Sequence, residues 1–212
     1  MKQALASLLH STAPLVPFNR WQHWAKTPLF LPFYHLVSDE KPAHVRHLYP
    51  VRTVQQFRDD LDFFLKYFRP VGLERVVEQC LTPKGSKTLP RSEFHLSFDD
   101  GLRECYDVVM PILLEKGIPA TFFLNSAFVD NRALMFRYKA SLLQASGAAL
   151  PSNPLRVRYA DRHLLDEWAL AAGIHFQTFL EQQQPYLTAE QIQTMQNKGF
   201  AFGGHSTDHP LY

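Results

Sequence analysis

The fold of this chain is decided by the stretch Glu93-Phe94-His95-Leu96-Ser97-Phe98-Asp99-Asp100-Gly101. Up to Asp99 the residues alternate in character, so apolar side chains share one face of an extended strand and polar side chains share the other. Gly101 then permits a tight turn. A helical pattern follows over residues 102–116, with a kink expected at Pro111. The stretch therefore predicts a β-strand that leads directly into a helix.

Units of the same kind recur along the chain. We predict five strands, at residues 30–37, 70–74, 93–99, 119–125 and 199–204. Amphipathic helices fall between them, and two of these helices begin with capping boxes, at Thr53–Gln56 and Thr188–Gln191. Strands that alternate with helices favour an α/β fold built from parallel βα units.

Two segments depart from this rhythm. Residues 127–187 contain one predicted helix around Phe136 to Gln144, a proline-containing loop, and a second predicted helix around 162–182. We interpret this segment as a helical insertion between two βα units. Residues 1–28 are mixed in character, and we expect them to form an N-terminal arm. The main domain then spans residues 29–212.

Composition excludes several classes of protein. The 212 residues are 46% hydrophobic and 20% charged, which argues against disorder and coiled coil. A net charge of +2 gives no basic face for nucleic acid. No apolar run approaches the roughly 18 residues that a transmembrane segment needs. Because the run from Ala4 to Leu9 is marginal for a signal peptide, we expect a cytoplasmic protein.

Asp99 and Asp100 lie where a strand ends and a helix begins, which is the edge where active sites collect in parallel α/β folds. Two adjacent carboxylates repel, so they require a cation, a shared proton or full solvation. Taken alone, the pair is equally consistent with a structural role. A second pair, Asp59 and Asp60, lies within an amphipathic helix and is expected to form its solvated face.

His205 and His209 form a second candidate cluster. They follow the last predicted strand and two glycines, and residues at this spacing in a helical turn share one face. Because Pro210 disfavours the α conformation at His209, the turn must be short. One carboxylate and two imidazoles leave coordination positions open, which suits a catalytic metal. The pair His44 and His47 is a weaker metal candidate, since it lies in a polar loop.

Together these motifs resemble those of the polysaccharide deacetylase family, the NodB-homology carbohydrate esterases. The matching segments are Ser97–Gly101 for the first motif, Pro119–Phe123 for the strand after it, Gly204–Pro210 for the second motif, and Tyr34–Val37 with residues 57–78 for the N-terminal part. The resemblance covers roughly residues 29–126 and 187–212. It implies a distorted (β/α) barrel of the NodB-homology type, apparently incomplete at the C-terminus.

The resemblance also implies a reaction and its residues. Asp99 would be the general base that activates the attacking water, and Asp100, His205 and His209 would bind a divalent metal, with zinc preferred. The reaction would remove the acetyl group from an N-acetylated sugar or polysaccharide. Some family members are circularly permuted, and by analogy with them His35 would be the general acid. His95 ranks lower for that role because it lies deeper along its strand.

One family feature is absent. The third motif, an Arg-x-Pro-Phe/Tyr strand after the histidine pair, supplies an oxyanion-hole amide in the family and is not found here. The five predicted strands also fall short of a full barrel. We therefore expect a fragment of a longer deacetylase, or an oligomer that completes the barrel. Two alternatives stay open: a non-catalytic sugar-binding or assembly module, and a hydrolase for a small amide or O-acetyl substrate.

Overall fold

The computed structural model describes residues 17, 18, 20, 29–81 and 92–210, so the predicted N-terminal arm lies almost entirely outside the described residues. The described strands are β1 (Leu29–Phe30), β2 (Phe33–Tyr34), β3 (Arg69–Pro70), β4 (Glu93–Phe94), β5 (Leu96–Phe98), β6 (Ala120–Asn125) and β7 (Ala201–Ser206). The described α-helices are α1 (Val54–Tyr67), α2 (Leu73–Leu81), α3 (Met110–Lys116), α4 (Phe136–Ser146), α5 (His163–Ala171), α6 (Phe176–Gln183) and α7 (Ala189–Asn197). None of the described helices is long and apolar enough to cross a membrane.

The described strands form two parallel sheets. One has the order β2-β5-β6-β7 and the other has the order β1-β4-β3, and every pairing within them is parallel. The prediction of parallel βα units is therefore confirmed. Because parallel strands end at the same edge, the segments that follow β5, β6 and β7 meet in space.

Several predicted strands are shorter or divided. The predicted strand at 30–37 is interrupted at Pro32, which has no N–H to donate to a ladder. The predicted strand at 93–99 is divided at His95. There the chain passes from the sheet β1-β4-β3, which contains β4, to the sheet β2-β5-β6-β7, which contains β5. Its backbone bonding continues there, since the His95 N–H donates to the Phe30 carbonyl at 3.1 Å. The predicted strand at 70–74 shortens to β3 because α2 begins at Leu73.

The helices follow the sequence pattern with two differences. Both capping boxes are present, at Thr53 with Gln56 and at Thr188 with Gln191. In place of one kinked helix over 102–116, residues Cys105–Val109 wind as a π-helix before α3. The wider turn precedes Pro111, which cannot donate to an α-helical ladder.

The segment at residues 127–187 is helical, as expected for the proposed insertion. A single helix around 162–182 is a wrong prediction, because α5 and α6 are separate and Gly173 between them has a left-handed φ of 68°. These helices share a buried core with Leu36, Val45 and Leu102 from outside the segment. The segment is therefore packed into the protein through apolar contacts.

His44 lies inside this second core. The residue is 4% exposed, and its ring packs against Tyr138 and Phe179 at centroid distances of 5.1 and 5.5 Å. Neither ring nitrogen has a hydrogen-bond partner among the described residues. Burial lowers the pKa of His44 to about 4, because the charged imidazolium is poorly solvated there.

Acidification should therefore destabilise the protein through His44. Between pH 6.5 and about 4, His44 binds a proton in the unfolded chain but not in the folded chain. The free energy of unfolding therefore decreases as the pH is lowered through this range. From pH 7 to pH 5 we expect the wild type to lose about 2 kcal/mol more than His44→Phe. Urea unfolding at both pH values measures this difference. Equal losses in the two proteins would contradict it.

Candidate metal centre

A tight turn after β5 presents Asp99 and Asp100. The Asp99 N–H still donates to the Tyr34 carbonyl at 2.9 Å, so Asp99 belongs to the end of the ladder. Asp100 and Gly101 then both adopt left-handed conformations, with φ of 71° and 66°. At a non-glycine residue this conformation costs on the order of 1–3 kcal/mol, and such strain concentrates at functional sites. The turn leaves the Asp100 carboxylate buried at the edge of the sheet.

The two histidines of the second motif are presented by β7 and the turn after it. His205 lies within β7, which pairs with β6, and Ser206 of β7 aligns with Asn125. The chain then turns, and His209 has a left-handed φ of 58°. Its backbone N–H donates to Ser206 Oγ at 2.8 Å, which closes the turn. A short, non-helical turn agrees with the restriction expected from Pro210.

These turns bring Asp100, His205 and His209 together. Asp100 Oδ1 lies 3.5 Å from His209 Nε2 and 3.9 Å from His205 Nε2. One ligand atom from each residue lies within 4.8 Å of the others. Tetrahedral ligands about 2.1 Å from zinc stand roughly 3.4 Å apart, so this donor set fits a single cation. Among the described residues, this is the only group of three or more His, Cys, Asp or Glu side chains whose ligand atoms lie close enough to hold one metal ion.

Asp99 lies beside this group and is half-buried. Burial raises the pKa of its carboxyl, the neighbouring imidazoles of His205, His35 and His209 act to lower it, and Asp100 acts to raise it. The His35 ring is half-buried and lies 5.0 Å from the ring of Tyr49. All five predicted site residues therefore lie at one edge of the sheet.

The other histidines considered from the sequence lie elsewhere. Both ring nitrogens of His95 are engaged inside the protein, by the Val71 carbonyl at 2.8 Å and by Thr121 Oγ1 at 2.9 Å. Of the loop pair, His44 is buried against aromatic rings and His47 is exposed. These positions agree with the lower rank given to His95 as general acid and to His44 and His47 as metal ligands.

Sequence reasoning missed two residues that support the site, Asn125 and Tyr138. Asn125 Nδ2 donates to Asp100 Oδ1 at 3.1 Å, and Ser206 Oγ donates to Asn125 Oδ1 at 2.7 Å. The Tyr138 hydroxyl donates to Asp100 Oδ2 at 3.2 Å. Asn125 carried a weak signal, since it is the polar residue that ends an apolar strand at this edge. Tyr138 carried none, because it is one aromatic residue among many in a helical segment.

Comparison with known proteins identifies the family. Residues 86–212 match the family model described as Polysaccharide deacetylase, which covers more than half of the chain. The chain belongs to the polysaccharide deacetylase family. The family proposed from the sequence motifs is thereby confirmed. A search of curated proteins finds no match.

Solved structures of deacetylases are similar to this chain. The Streptococcus pyogenes deacetylase PplD in complex with acetate is 16% identical, with a TM-score of 0.50, over 87% of this chain and 57% of that one. IcaB from Ammonifex degensii is 15% identical, with a TM-score of 0.40, over 88% of this chain and 92% of that one. The likeness to PplD confirms the predicted α/β fold of the deacetylase barrel type. The chain spans a little over half of PplD.

Adjacent glycines in β7 allow a test of how the strand that carries His205 is packed. A Cβ at Gly203 would lie 2.7 Å from Phe123 Cε1, whereas a Cβ at Gly204 would meet nothing within 4 Å. We expect Gly203→Ala to lower the free energy of unfolding by about 1–3 kcal/mol. Gly204→Ala should leave it unchanged or raise it by up to about 1 kcal/mol. Urea unfolding of both variants measures this, and equal effects would contradict the packing described.

Proposed function

We propose that this chain is a metal-dependent hydrolase that removes the acetyl group from the nitrogen of an N-acetylated sugar. The observation that carries the proposal is the convergence of Asp100, His205 and His209 beside Asp99, in a chain of the polysaccharide deacetylase family. Membership of the family supports the substrate class, and the donor set supports the metal dependence.

Asp100, His205 and His209 hold the cation in this proposal. Two imidazole nitrogens and one carboxylate oxygen suit zinc, and they leave a coordination position open. A bound divalent cation polarises the acetyl carbonyl and lowers the pKa of water. A cation held by these three residues would also reduce the electrostatic repulsion between the adjacent carboxylates of Asp99 and Asp100.

Asp99 is the proposed general base. It lies at the end of β5, next to the three residues of the donor set, and it is half-buried. A base must be ionised, and positive charge close to a carboxylate favours the ionised form. Asp99 would then take the proton from the attacking water, a role in which side chains contribute about 10²–10⁴-fold to rate.

His35 is the proposed general acid. The leaving amine nitrogen needs a proton when the amide bond breaks, and an imidazole close to the site can supply it. His35 is near enough to Asp99 to affect its pKa, and Tyr49 and Phe33 lie against its ring at 5.0 and 5.8 Å. These ring contacts support a fixed orientation for the imidazole.

Substitution of Asp100 should impair metal binding, whereas substitution of Asp99 should impair catalysis alone. We expect Asp100→Ala to weaken zinc binding at least about 100-fold, because it removes a direct ligand. Asp99→Asn should keep the zinc Kd within a few-fold and lower kcat about 10²–10⁴-fold. Calorimetric zinc titration and acetate release from an N-acetylglucosamine oligomer measure the two effects.

The matched control is Asp59→Asn, which alters the other pair of adjacent aspartates. Asp59 is exposed on α1 and accepts a hydrogen bond from Gln55, so zinc binding and acetate release should both be unchanged. Normal acetate release by Asp100→Ala would overturn the proposed function. A panel of N-acetyl sugars, small amides and O-acetyl esters shows whether the substrate class is correct.

The role of His35 can be tested through the leaving group. His35→Gln should lower kcat on the sugar amide by about 10²–10⁴-fold. It should have little effect on an aryl acetate ester, because a phenolate leaves without being protonated. His47→Gln, at an exposed histidine of the following loop, is the control. Equal losses on both substrates would mean that His35 does not act as the acid.

A further inference from the structure

The Asp100 carboxylate is held at both oxygens by residues from different parts of the chain. Oδ1, the oxygen nearer both imidazoles of the donor set, also accepts a hydrogen bond from Asn125 at 3.1 Å. Oδ2 accepts one from the Tyr138 hydroxyl at 3.2 Å. Asp100 is only 3% exposed, so both bonds lie in a poorly solvated environment where they strengthen.

The direction of the hydrogen bonds follows from the chemistry of the groups. An ionised carboxylate can only accept, so the single Tyr138 proton is committed to Asp100. The hydroxyls of Tyr49 and Tyr138 lie 3.2 Å apart, so Tyr49 must donate to Tyr138. The result is a chain of hydrogen bonds from Tyr49 through Tyr138 to Asp100 Oδ2.

Both tyrosines are held in place by packing. Tyr138 is fully buried, and its ring stacks on that of Tyr186 at 6.1 Å and contacts that of His44 at 5.1 Å. Tyr49 lies against the ring of His35 at 5.0 Å. Fixed donors of this kind orient a metal ligand without any adjustment when the cation binds.

We propose that Tyr138, supported by Tyr49, is a positioning residue of the metal centre that engages Oδ2 and leaves Oδ1 as the single oxygen of Asp100 available to the cation. The inference rests on the proposed function. It also assigns a role to α4, which supplies Tyr138 from the helical segment at 127–187. One-oxygen binding keeps a coordination position free for substrate.

Tyr138→Phe removes the hydroxyl and keeps the ring. We expect the zinc Kd to rise about 10-fold, as is typical when a partner of a metal ligand is lost. The absorption spectrum of the cobalt-substituted protein should also change, because the freed Oδ2 can join the coordination shell. Tyr49→Phe should raise the zinc Kd by a smaller factor, since its hydroxyl acts through Tyr138. Calorimetry and visible spectroscopy on the whole chain measure these effects without any assay of activity.

Tyr34→Phe is the matched control. Its hydroxyl also donates to a carboxylate, Asp60 Oδ2 at 3.0 Å, and Asp60 is not part of the metal centre. Its zinc Kd and cobalt spectrum should equal those of the wild type. Near-ultraviolet circular dichroism and thermal unfolding without metal check that each variant is folded.

The outcomes separate this inference from the proposed function. If folded Tyr138→Phe binds zinc as tightly as Tyr34→Phe, the positioning role is wrong while the proposed function stands. If Tyr138→Phe does not fold, the zinc Kd of Tyr49→Phe tests the inference. A Kd unchanged from the wild type would overturn the proposed role of the hydrogen-bond chain from Tyr49 through Tyr138 to Asp100. If the wild type binds zinc and Tyr138→Phe binds it about 10-fold more weakly, the inference holds even when no sugar is deacetylated. A wild type that binds neither zinc nor cobalt overturns both.

Discussion

Parallel pairing of β5 and β7 with the two sides of β6 is the constraint on which the candidate metal centre depends. Ser97 and Ala201 both align with Thr121, so these strands run level toward the same edge. Asp100 follows one strand and His205 lies in the other, and neither could meet a shared cation without that register. A slip of one residue in either strand would turn the alternating side chains to the opposite face.

The sequence predicts the parts of the site that depend on neighbouring residues. Alternation before Asp99 and the capping box at Thr188 are local patterns, and the structure bears out the strand and the helix that they predict. The spacing of His205 and His209 is also a local pattern, but His205 lies in β7 and the turn to His209 is not helical. The division of the strand at His95 could not be predicted, because it depends on which sheet each half joins. The same holds for the bond from Tyr138 to Asp100, since it joins positions 38 residues apart through the packing of α4.

The helical segment at 127–187 is more closely tied to the site than an appended lid would be. Its core includes Leu36, which follows His35, and Leu102, which follows the Asp100–Gly101 turn. Movement of these helices would therefore disturb the backbone on both sides of the site. Through Tyr138 the segment also contacts the buried carboxylate directly. We infer that the stability of this segment and the geometry of the candidate metal centre are coupled.

The donor set also joins two parts of the chain that are far apart in sequence. Asp100 and His205 are separated by roughly a hundred positions, so a cation that binds both closes a long loop of chain. Long loops lose the most conformational entropy on closure, and a cross-link that bridges them restricts the unfolded state strongly. The cation would act as a reversible cross-link between the turn after β5 and β7. Resistance to proteolysis at β7 would then rise and fall with metal supply.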